Sequence, residues 1–199
     1  MCASGDQHPD AGEEQNSSPA LFFIYLLYMT NTKLAAELRR LGRIDQTRRK
    51  IFRPGDTWDD AADRTNTARL KIIVRAHGWP TITKVGRAAS RAAWLIVQHA
   101  AFDKSFQRRA LHLMQAAHRK KAKDVPLYQI AYLTDRLLVE SGRPQLFGTQ
   151  FKISRAGLVR PAPIKDKTKL DERRTMFGLE PFAKYLRSAN QGLKSKYKR

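Results

Sequence analysis

The chain has 199 residues, with 38 Lys and Arg against 18 Asp and Glu, a formal charge of +20 at pH 7. This length suits one domain with a tail, and 42% hydrophobic residues supply a core, which excludes global disorder. A single cysteine, Cys2, excludes a disulfide framework, a CxxC redox pair and a multi-cysteine zinc site.

The charge is uneven. Residues 1–28 hold no Lys or Arg but four acids, Asp6, Asp10, Glu13 and Glu14. From Met29 onward 38 cations face 14 acids, so the body carries +24. The first 20 residues are small, polar and turn-rich, the composition of a disordered leader. Leu21–Met29 is an apolar run, too short for a membrane span of about 20 residues, and its acidic leader is not that of a secretory signal. The run reads as a staple docked on the domain, as a weak membrane contact, or, the favoured reading, as sequence upstream of the true start. The domain is placed at 29–190, with a basic tail at 191–199 and a cytoplasmic location.

The body reads as helices. Leu34, Leu38, Leu41, Ile44 and Ile51 make one helix face, with Arg39, Arg40, Arg43, Arg48 and Arg49 largely outside it. RPGD at 53–56 ends that helix. Thr57 caps a second one through Ala62, Ala68, Ile72 and Ala76 to His77, where Gly78 and Pro80 stop it. Thr81 or Thr83 caps a third, apolar on all sides over Ala92–Val97 and therefore central. Asp103 caps a fourth, with Phe106, Ala110, Leu113, Met114 and Ala117 inward and Lys104, Arg108, His112 and Arg119 outward. Pro126 opens a fifth, closed by Gly142. The period then changes: QLFGTQFKI, SRAG and LVRPAPI predict a short hairpin whose prolines, 161 and 163, allow only an edge strand. A last helix is expected over Leu170–Leu186. The predicted fold is all-α, about six helices in a compact bundle, with the hairpin between the last two.

Four strings in order, HGWPTITKVG (77–86), AAWLIVQHA (92–100), AYLTDR (131–136) and GRPQLFGTQF (142–151), resemble a bacterial domain family of unknown function. PAPIKD, DERR and GLEPF follow in the same order, and the resemblance spans about Leu34 to Leu186. It implies a bacterial, soluble helical domain and supplies no activity. The basic charge and the acidic first 28 residues depart from the family pattern.

The candidate chemistry lies in polar residues that interrupt apolar helices. His99, preceded by Gln98, ends the central helix and is the candidate general acid or base; the alternative is a cap on helix carbonyls. Asp135 is the candidate to orient His99, or else it holds neighbouring helix ends. Arg136 is the candidate anion grip, or pairs with Glu140 four residues on. Gln145, Thr149 and Gln150 sit around Gly148 in a loop able to bring backbone amides to a ligand, or in a plain turn. His77 reads mainly as part of a helix stop over Trp79. No GxxxxGK[ST], GxGxxG, HExxH or GxSxG occurs, and no metal site or cofactor is assigned. His99 and Asp103, four apart, are read as a helix end and the next cap. Two classes of function follow. One is a pocket for a small anionic ligand with acid–base hydrolase or transferase chemistry; the other is a nucleic-acid or ribonucleoprotein module using the basic surface. A protein-interaction module using the apolar run is a third.

Overall fold

The computed structural model of the chain describes residues 19–51, 58–153 and 158–197. Among these, seven helices run in order: α1 Pro19–Ile51, α2 Ala61–His77, α3 Ile82–His99, α4 Lys104–Lys120, α5 Leu127–Glu140, α6 Leu170–Met176 and α7 Phe182–Tyr197. One antiparallel hairpin, β1 Phe151–Ile153 with β2 Val159–Pro161, lies between α5 and α6. The fold is helical with a small hairpin, as the periodicity predicts. The expected last helix is two. Gly178 turns the chain with φ 67° and Pro181 precedes α7, so Leu170–Leu186 cannot run through. The expected acidic leader, the RPGD break, the Thr57 cap and the SRAG turn fall outside the described residues.

In α1 the stripe Leu34, Leu38 and Leu41 is buried. Ile44 and Ile51, expected to extend it, are 38% and 69% exposed. The next inward position after Leu41 belongs instead to Asp45, four residues on and 1% exposed. The helix also begins before Lys33 and passes Met29 without a break. Leu21, Phe23, Ile24 and Leu27 are all more than half exposed, so these side chains do not dock on the domain as a staple.

α2 turns Leu70, Ile73 and Val74 inward, while Ala68, Ile72 and Ala76 lie outside; Gly78 ends it at φ 70°. α3 is the centre of the molecule. After a left-handed Gly86 (φ 79°), it buries Ala89, Ala92, Ala93, Trp94, Ile96 and Val97 against α1, α2 and α5. α1 packs most extensively on it, and a Cβ built on Gly42 would stand 2.6 Å from Ala92 Cβ. Trp94 donates its indole N–H to the Gln129 carbonyl at 3.1 Å and meets Tyr128 and Tyr132 edge-on, which fixes α5. Asp103 accepts the Phe106 N–H at 3.0 Å and so caps α4, as expected. Each wholly buried Leu, such as Leu38, Leu70 or Leu133, contributes roughly 1.5–3 kcal/mol by leaving water.

Candidate acid–base site

His99 ends α3, and its Nδ1 lies 2.8 Å from Asp45 Oδ1 on α1. An ionised carboxylate only accepts, so Nδ1 carries a proton toward Asp45, and Nε2 is the ring nitrogen not engaged by it. Asp45 also accepts from Gln46 Nε2 at 2.6 Å and pairs with Arg49 at 3.3 Å. Burial pushes the Asp45 carboxyl up, but the His99 hydrogen bond and charge, with Gln46 and Arg49 behind them, hold it below the usual range.

Arg49 is itself fixed. Its two terminal nitrogens fork onto Asp63 at 3.1 and 2.9 Å, and its guanidinium lies 4.6 Å over the Trp58 ring. Trp58 in turn donates to Asp63 at 3.2 Å. From α5, Arg136 donates to Gln98 Oε1 at 3.0 Å and stands 3.8 Å from Glu140. Burial lowers the Arg136 pKa, Glu140 opposes this, and the charge of Arg49 lowers it further. Burial raises Glu140, against the pull of Arg136 and Lys104. Gln98 Nε2 and Glu140 Oε2 are buried without a hydrogen-bond partner among the described residues. The arrangement offers one oriented imidazole nitrogen, with Arg49 held by Asp63 and Asp45 and Arg136 held by Gln98 and Glu140.

Sequence reasoning placed Asp135 behind His99; the structure puts Asp45 there. Asp135, wholly buried, instead accepts the backbone N–H groups of Leu146, Phe147 and Thr149 at 2.7, 3.1 and 3.0 Å and the Thr149 hydroxyl at 2.9 Å. Burial raises its pKa, and these donors pull the other way. Gln145 Nε2 donates to the carbonyls of Gln150 and Ala162 at 2.9 Å each, and its Oε1 accepts the Gln150 N–H at 2.8 Å. Gln150 Nε2 reaches Thr149 Oγ1 at 3.1 Å. The 145–150 loop is therefore a clip whose polar groups bind one another. The seven expected residues divide: His99 bonds Asp45, Gln98 and Arg136 bond each other, and Asp135, Gln145, Thr149 and Gln150 form a separate knot.

Asp45, Arg49 and Asp63 were not singled out. The available signal was an acid at the inward position of α1, in IDQTRR. Asp103 is taken by its cap and by Lys71 at 2.8 Å, and no cluster of three potential metal ligands occurs among the described residues. No curated protein and no solved structure matches the chain. The family of unknown function DUF6624 matches residues 55–198, which takes in His99, Arg136 and the 145–150 loop but not Asp45, and the chain belongs to that family.

Proposed function

We propose that the chain binds a small anionic ligand beside His99, with Arg49 and Arg136 drawing its charge and His99 Nε2 exchanging a proton with it. The observation that carries this reading is the hydrogen bond from His99 Nδ1 to a carboxylate 1% exposed. Such a pair fixes the ring's tautomer and orientation and stabilises the imidazolium formed when Nε2 takes a proton. Acid–base hydrolysis or group transfer fits this arrangement. In that chemistry Nε2 draws a proton from water or a hydroxyl as it attacks and returns it to the leaving group, and the guanidiniums balance the developing negative charge. The test is turnover of para-nitrophenyl acetate and para-nitrophenyl phosphate. His99→Ala should lower a measured rate by about 10²–10⁴-fold, and Asp45→Asn by less, with both variants folded by circular dichroism. Equal rates in His99→Ala and the parent overturn the proposal.

A nucleic-acid partner is the second reading, favoured by the exposed cations Arg108, Arg109, Arg119, Lys120 and Lys123 on and just after α4. Binding of that kind falls steeply with salt and survives His99→Ala.

A further inference from the structure

The seam between α1 and α3 opens into a groove of about 420 Å³. Arg39, Arg43 and Lys50 line it from α1 and Arg91 from α3, and no acid lines it among the described residues. Ala92 and Leu95 give it an apolar floor, set by the close approach of the helices at Gly42. Four other cations of the body are paired: Arg69 with Glu37, Lys71 with Asp103, Arg64 with Asp60 and Arg49 with Asp63. The side chains of Arg39, Arg43 and Arg91 are exposed and make no ion pair or hydrogen bond among the described residues. Three planar guanidiniums around one concavity match the oxygens of a phosphate group, which each can grip through two N–H donors. The volume is that of a small-molecule site, and the apolar floor suits an uncharged moiety beside the phosphate better than a bare polyanion.

Two features join the groove to the acid–base site. On α3, Ala88, Ala92 and Leu95 line the groove, and His99 follows at the same helical spacing of four, three and four, on one stripe. On α1, Gln46 lines the groove and donates its Nε2 to Asp45 Oδ2 at 2.6 Å. We infer that the groove holds the phosphate of a small phosphorylated ligand, whose remainder runs along the seam toward His99. The direction in which the ligand runs rests on the proposed role of His99; the phosphate site itself does not.

The test is calorimetric titration of the full chain with inorganic pyrophosphate and with adenosine 5′-monophosphate, beside a single-stranded oligonucleotide. Two double variants remove equal charge: Arg43→Gln with Arg91→Gln in the groove, and Arg119→Gln with Lys120→Gln at the end of α4. Pyrophosphate should bind at one saturable site. The groove pair should weaken it about tenfold or more, and the α4 pair should leave it within twofold. Pyrophosphate affinity of the groove pair reads the phosphate site and para-nitrophenyl turnover of His99→Ala reads the acid–base site, so the two readings fail separately. Absence of saturable pyrophosphate binding at millimolar concentration overturns the inference. So does equal weakening by the two pairs, which marks bulk charge, or binding of the oligonucleotide alone, which marks a nucleic-acid surface.

Discussion

Asp135→Asn tests whether Asp135 holds the 145–150 loop or serves chemistry. The carboxylate accepts the Leu146 N–H on Oδ1, the Thr149 N–H and hydroxyl on Oδ2, and the Phe147 N–H on both. An asparagine keeps the shape but replaces one oxygen with a donor. If the amide nitrogen takes the Oδ2 place, the Thr149 N–H faces another N–H; if it takes the Oδ1 place, the Leu146 N–H does. Phe147 keeps an acceptor either way, and the Thr149 hydroxyl can rotate. One backbone N–H beside a wholly buried side chain is therefore stranded in either orientation, at a cost of about 1–3 kcal/mol. The neutral amide is spared the burial cost that raises the Asp135 pKa, which trims the loss. The expected destabilisation is about 1–3 kcal/mol, and Asp135→Ala, which strands all three N–H groups, should lose more. Urea denaturation followed by circular dichroism gives both numbers, and the slope should stay constant. A loss below about 0.5 kcal/mol in Asp135→Asn, or one equal to that of Asp135→Ala, would refute the counting of donors.

Two glycines in helices should respond to alanine with opposite signs. Gly42→Ala gains about 1 kcal/mol of helix propensity but drives a Cβ to 2.6 Å from Ala92, and overpacking of about 1–3 kcal/mol wins. Gly192 in α7 has nothing within 4 Å of such a Cβ, so Gly192→Ala should stabilise by about 0.5–1 kcal/mol; denaturation midpoints shifting the same way in both would sink the packing argument. Asp103→Ala removes the α4 cap and should cost about 1 kcal/mol at neutral pH. Lys71 foremost, with the Phe106 N–H and Ser105, holds Asp103 down to about 2 from 3.8. A folded pKa below the unfolded one stabilises above the unfolded value and stops doing so as pH falls through the folded one. The gap between parent and variant should therefore stay constant above pH 3.8 and close toward pH 2, as read by acid titration of the denaturation midpoint.

The sequence pattern carried the local features because they have local causes. The apolar belt of α3, the Asp103 cap, the Gly78 stop and the hairpin with its edge prolines all depend on residues within a few positions of one another. The Gly178–Pro181 break between α6 and α7 was equally local and equally visible in GLEP. Ile44 against Asp45 shows where the pattern fails. Hydrophobic periodicity assigns the inward position to the nearest apolar residue, but Asp45 goes inward because His99, 54 positions away, and Arg49 stabilise its charge there. The same limit separated Asp135 from His99. Helical spacing shows that a side chain faces the core, while its partner is set by tertiary packing.

The two polar knots differ in one respect that bears on function. Around Asp135 the donors and acceptors close on one another: carboxylate on backbone N–H, Gln145 amide on two carbonyls, Gln150 N–H on Gln145. A network of this kind gains its energy in the folded chain and leaves nothing for a ligand. Around Arg136 the network stays open. Gln98 and Glu140 each bond or pair with the same guanidinium, and each leaves a second polar atom buried with no partner among the described residues. Each such atom costs about 1–3 kcal/mol. Of the two open atoms the Gln98 amide nitrogen is a donor and the Glu140 oxygen an acceptor, so the groups left open beside Arg136 are of both kinds. The closed knot holds the 145–150 loop against α5, the helix that also carries Arg136.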